Sequence, residues 1–153
     1  MSGAEARLAG LGLTLPAVTP PVAAYVPAVR TGNYVYTSGQ LPMVAGKLQG
    51  TGKVGDAVTT EDAASMARTA ALNALAAAAS VAGGLRAITR VVKVVCFVAS
   101  DPSFTQQAQV ANGASELLLE VFGEEGRHAR SAVGMAVLPL DSPVEVEIVV
   151  EVA

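Results

Sequence analysis

The chain has a single cysteine and a single histidine among its 153 residues. A lone Cys96 excludes an internal disulfide and fits a reducing compartment. His128 has no second histidine or cysteine at ligand spacing, so no metal site is expected, and no cofactor either. Charge is also scarce, at 15% of residues, and thirteen acidic against ten basic side chains leave a net −3. Without a basic surplus to neutralise phosphates, nucleic acid is not an expected partner. Three tyrosines and three phenylalanines are too few for a platform that stacks RNA bases. Hydrophobic residues make up 52% of the chain, yet no apolar run approaches the roughly 20 residues of a membrane span. The opening MSGAEARLAGLG is mixed and small, unlike the basic start and apolar core of a secretory leader. The expectation is a cytoplasmic protein that does not contact a membrane.

What is present is enough apolar material for one domain spanning residues 1–153, with 1–21 as a variable lead-in. So large an apolar fraction in a small domain predicts burial by self-association. A short helical turn is expected over residues 4–12, followed by an irregular stretch around Pro16, Pro20 and Pro21. Strands are expected over 25–29 and 34–37 with a turn between them, then a glycine-rich loop over 46–55 holding a short strand near Leu48. Thr59 or Thr60 followed by Glu61 and Asp62 opens a long alanine-rich helix, which Gly83 and Gly84 end after Ala82. Its many alanines require a close approach to the sheet. A central strand over 91–98 follows, with Cys96 as plain core filler. A second helix over about 103–122, capped by Asp101, carries the apolar stripe Val110, Ala114, Leu117, Leu118 and Val121. Inside it, Asn112 beside Gly113 is costly for a helix, so it is either a solvated position or a local requirement.

Two further strands are expected over 129–138 and 144–152. In the second, valines and Ile148 alternate with Glu145, Glu147 and Glu151. The order ββ, α, β, α, ββ predicts an α+β fold, a mixed sheet with both helices on one face. No third helix of useful length remains for the other face, so a second chain should cover it.

The stretch HARSAVGMAVLPLDSPVEVEI, residues 128–148, carries the most chemistry. At the strand period of two, Arg130 shares a face with Ala132, Gly134 and Ala136, which leave room beside its guanidinium. Its planar fork suits a carboxylate. On the strand pattern alone, Arg130 is either such an anchor or a strand-end arginine that snorkels or pairs with a nearby glutamate.

From Arg130 the order is Arg-Ser-x-Val, a small residue at Ala136, Pro139, then Val146-Glu147-Ile148. Upstream stand the segments 25–29 (YVPAV), 36–42 (YTSGQLP) and 90–94 (RVVKV), and Asn112. This resembles the RidA (YjgF-like) family of reactive-intermediate deaminases, once called endoribonuclease L-PSP, from about Val22 to the C-terminus. The resemblance implies the chorismate-mutase-like fold and a homotrimer with clefts between subunits. It also implies hydrolysis of 2-imino and enamine acids, released by pyridoxal-phosphate enzymes, to 2-oxo acids and ammonia. By resemblance, Arg130 anchors the carboxylate, the backbone at Ala132 and Gly39 adds contacts, Tyr25 and Asn112 line the cleft, and Glu147 orients water. Arg130, Glu147 and Tyr25 form the catalytic set; Arg130, Ala132, Gly39 and Asn112 form the binding set.

The chain departs from the family where many members carry cysteine, here Ala132, and where members usually have proline or alanine, here His128. The stretch between Pro42 and Thr60 also differs in length. Ala132 removes any thiol role but keeps a backbone donor. His128 is either a proton donor at a cleft edge or a surface residue. Two other functions share these residues: a non-catalytic module that binds small carboxylates, and a ribonuclease, against which the acidic balance counts.

Overall fold

The computed structural model describes residues 2–18 and 23–153. Pro20, Pro21 and Val22 lie outside the described residues.

Helix α1 (Gly3–Gly10) opens on a capping box between Ser2 and Glu5 and buries Leu8. Strands β1 (Ala28–Thr31) and β2 (Tyr34–Thr37) form a hairpin, and the two-residue strands β3 (Met43–Val44) and β4 (Lys47–Leu48) form a second, separate one. Helix α2 (Thr60–Ala82) runs between the predicted signals. The Thr59 hydroxyl accepts the Asp62 N–H at 3.1 Å, and Gly83 closes the helix at a φ of 96°. Strand β5 (Ile88–Ala99), helix α3 (Gln107–Phe122), strand β6 (Ala129–Met135) and strand β7 (Val144–Val152) complete the chain. The five-stranded sheet has the order β1-β2-β7-β5-β6, antiparallel except for the parallel pair β5–β6. The expected α+β fold with a mixed sheet is the one observed.

Three predicted boundaries are corrected. The first strand starts at Ala28, because Pro27 has no N–H to pair; Tyr25 and Val26 lie in a bend before it. Helix α3 starts at Gln107 instead of about residue 103. Asp101 caps only a local turn: its carboxylate takes the Ser103 N–H at 3.0 Å, and its carbonyl takes the Phe104 N–H at 2.9 Å. Strand β6 ends at Met135, so Ala136 falls outside the face that Arg130, Ala132 and Gly134 share.

Both helices pack on one face of the sheet, where every alternate residue of β7 from Val144 to Val152 is buried. Alanines such as Ala67, Ala70, Ala71 and Ala74 let α2 lie close to the strands. Gly113 explains half of the costly Asn-Gly pair. A Cβ there would sit 2.7 Å from the carbonyl carbon of Ala64, so glycine is what lets α2 and α3 touch.

Helix α1 packs against α3, on the helix side, and leaves the opposite sheet face open. That open face carries Val29, Tyr34, Tyr36 and Val133, between 41% and 53% exposed. No helix among the described residues is long and apolar enough to cross a membrane.

Candidate functional site

Register decides which side chains can meet. Arg130 pairs with Val94 on β5, and Val94 pairs with Ile148 on β7. Residues in register share a face, so Arg130 points to the helix side with the buried Ile148. Ser131, Val95 and Glu147 are likewise in register, on the open side. The sequence left open a pairing between Arg130 and a nearby glutamate. Within the chain the sheet itself separates Arg130 from Glu147, and Arg130 forms no ion pair among the described residues.

On the helix side, Arg130 meets α3. One nitrogen, Nη1, donates to Asn112 Oδ1 at 2.8 Å and to Ser115 Oγ at 3.1 Å. Asn112 and Ser115 stand three residues apart, on one face of the helix. Asn112 therefore meets a local requirement, although its side chain is otherwise exposed. No hydrogen bond engages Nε or Nη2 among the described residues, and those two groups form the parallel fork that grips a carboxylate. A cleft of about 380 Å³ opens here, lined by Ser115, Leu119, Arg127, His128 and Arg130.

The backbone of β6 adds to this cleft. In a parallel pair, alternate residues turn both N–H and C=O toward the partner strand. Met135 accepts the Ser100 N–H at 2.9 Å, so the odd-numbered residues of β6 face β5. The amides of Arg130, Ala132 and Gly134 then point to the free edge of the sheet. The predicted donor at Ala132 thus stands on the same edge as the guanidinium.

Cys96 is in register with Ala132 but buried, and burial pushes its thiol up to about 12, the Arg130 charge offsetting only part. A thiol so held stays protonated and unreactive, as expected of core filler.

The remaining predicted residues lie elsewhere. Gly39 stands beside the start of β7, where Gln40 and Val146 exchange backbone bonds of 2.8 and 2.9 Å. The Glu145 side chain covers it, its Cγ 3.0 Å from where a Gly39 Cβ would be. The Asn73 amide fixes the following loop by donating to the carbonyls of Leu41 and Met43, each at 3.0 Å. Tyr25 is 57% exposed next to β1. It stands at the opposite end of the sheet from Arg130, four strand spacings or roughly 19 Å away.

Two groups that sequence reasoning passed over or left open emerge. Partial burial, with Glu147 close by, raises the Glu145 carboxyl above its ordinary range. Glu145 could have been singled out only by knowing that Gly39 packs on it. Ser115 bonds both Arg130 and His128; its signal was the three-residue spacing from Asn112.

Comparison with known proteins agrees with this architecture. Residues 5–152 match the family model described as "YjgF/chorismate mutase-like, putative endoribonuclease". Protein TCP17 of Trypanosoma cruzi is 47% identical over 149 residues, covering 95% of this chain and 92% of that protein. A crystal structure of an Agrobacterium tumefaciens protein of unknown function is 49% identical, with a TM-score of 0.89 over 99% of this chain and 93% of that one. A Shewanella oneidensis protein described as a putative endoribonuclease is 35% identical, with a TM-score of 0.93 over 97% and 99%.

Proposed function

Because the chain belongs to the YjgF/chorismate mutase-like family, we propose that it hydrolyses small 2-imino and enamine acids to 2-oxo acids and ammonia. The observation that carries this reading is the guanidinium of Arg130. Among the described residues it is held through Nη1 alone, with no partner on its fork, in a cleft at the sheet edge. A substrate carboxylate seated on Nε and Nη2 could also take the Ala132 N–H from the strand edge. Anchoring orients the C=N carbon, and much of the acceleration comes from that restraint. Water adds to the carbon, the C–N bond of the resulting carbinolamine breaks, and the nitrogen leaves as ammonia after gaining a proton.

Positioning that water and supplying that proton need a free acid or base beside Arg130, and the nearby His128 imidazole is already bonded at both nitrogens, to Ser115 and to Gly126. Glu147 and Tyr25 are the candidates, and both must come from a second copy. Glu145, whose carboxyl is raised by burial, suits proton donation beside Glu147. A homotrimer with clefts between subunits meets this need. The open apolar face and the two free sheet edges support it. A cytoplasmic location belongs to the same reading, as does a reduced Cys96.

One observation favours a second reading, a non-catalytic module that binds small carboxylates: among the described residues no carboxylate of the same chain stands next to the anchor, and the His128 imidazole beside it has both nitrogens engaged. The ribonuclease in the family's description finds less support in a chain of net charge −3. The deciding measurement is ammonia release from 2-iminopropanoate and bulkier imino acids generated in situ. Release faster than the spontaneous rate is expected. Binding of 2-oxobutanoate without such acceleration would leave the binding module.

A further inference from the structure

His128, the one histidine in the chain, has a tautomer that its surroundings dictate. Its Nδ1 lies 2.6 Å from the carbonyl oxygen of Gly126. A carbonyl oxygen only accepts, so Nδ1 carries the hydrogen. The Nε2 of the neutral ring is then bare, and the Ser115 hydroxyl, 2.8 Å away, donates to it. With its own proton spent on the imidazole, the Ser115 oxygen presents lone pairs to Arg130 Nη1 at 3.1 Å. The bonds all run one way: guanidinium to hydroxyl, hydroxyl to imidazole, imidazole to backbone.

The anchor for this chain of bonds is built into the fold. Gly126 passes so close to α3 that a Cβ on it would lie 3.0 Å from the carbonyl carbon of Leu118. Ser115 is 8% exposed, so water competes poorly for its hydroxyl. In a helix interior a serine often turns its hydroxyl back to the carbonyl four residues earlier; here the imidazole holds it outward.

We propose that Ser115 and His128 are positioning residues for the Arg130 clamp. They fix the hydroxyl as an acceptor, so that both Nη1 hydrogens are committed and the Nε/Nη2 fork faces the cleft. Neither residue touches the ligand carboxylate. The inference rests on Arg130 as the anchor and adds what aims it.

The test uses the intact protein labelled with 15N-histidine, whose spectrum holds one imidazole, together with calorimetric titration of 2-oxobutanoate. The expected spectrum is that of the Nδ1–H tautomer, with the Nε2 resonance shifting in Ser115→Ala. Ser115→Ala and His128→Leu should each weaken binding about three- to tenfold, the loss of one ordinary hydrogen bond. His128→Gln, which can place an amide oxygen where Nε2 was, should bind within about twofold of the wild type. An Nε2–H tautomer, or Leu and Gln variants with equal affinity, overturns the proposal. Arg130→Ala separates the two ideas. If it abolishes binding while the Ser115 and His128 variants match the wild type, the anchor stands and the positioning role falls. If it leaves binding intact, the anchor itself falls.

Discussion

The two faces of the sheet treat their polar groups differently. On the helix side Arg130, Asn112, Ser115 and His128 find one another inside the chain. No buried side-chain nitrogen or oxygen among the described residues lacks a partner. On the open side Glu145 and Glu147 crowd each other, and Tyr34 and Tyr36 lie exposed farther along the same face, opposite Glu151 and Val149. Folding alone therefore completes the polar network around Arg130, and in the proposed function the open side is completed by assembly. On the proposed reading, the cation on one face and the acids on the other act together when a second copy brings its acids to the first copy's arginine.

Four experiments put that contrast to the test. The largest effect is expected from the finished side. Arg130→Ala removes the guanidinium whose Nε and Nη2 are left to grip a ligand, and truncating such a partner costs about 2–5 kcal/mol. Affinity for 2-oxobutanoate should fall about thirtyfold or more, and imine hydrolysis should be lost, while the circular dichroism spectrum and oligomer mass are retained. Arg130→Lys should recover little, because a point charge replaces the fork.

Glu147→Gln probes the unfinished side. A carboxylate near a bound anion repels it, so Glu147 is poorly suited to anchoring and better suited to holding water. Turnover should drop about tenfold to a thousandfold with affinity unchanged or slightly improved. Equal losses of both in steady-state and binding assays would make Glu147 structural.

Tyr36→Glu places a charge in the middle of the open face, where Tyr36 pairs with Val149. Light scattering should register a fall from about three times the 15.4 kDa chain mass to one. A wild-type protein already monomeric at micromolar concentration would remove the contrast altogether.

The smallest effect is on stability. Glu145 has a folded-state carboxyl held above its ordinary 4.5 by burial and by Glu147. The folded chain therefore keeps that proton to higher pH than the unfolded chain does. The stability that goes with the proton is complete below the unfolded value and is lost as pH rises through the folded one. Urea midpoints of Glu145→Gln should match the wild type near pH 4 and exceed it at pH 7. The carboxyl is half-exposed, so the gain is modest.

Much of this was legible in the sequence wherever the cause was local. Thr59 and Gly83 bound α2 because capping depends on a few adjacent residues. The alternation of β7 was readable because its period lies within one strand. Prediction failed where chemistry between residues overrode a pattern. Pro27 withheld a hydrogen bond from the 25–29 stretch, and Asp101 spent its carboxylate on Ser103 before α3 could begin. The site was less legible. Arg130 and Asn112 were foreseen together and meet at 2.8 Å. The parity of Arg130 against Glu147 was unreadable, since it depends on how β6 and β7 each register on β5. The bond between Ser115 and His128 was hidden for the same reason.

The alternating direction of the β6 backbone has a last consequence. At Ala132 the side chain belongs to one surface and the amide to another, so the two answer to separate constraints. Cysteine, alanine or serine at that position would alter the packing and leave the outward N–H where it is. Of the twenty residues only proline erases it. A contact of this kind is written in geometry rather than in letters. Comparing sequences position by position would rate residue 132 as variable while the N–H it turns to the sheet edge stayed the same.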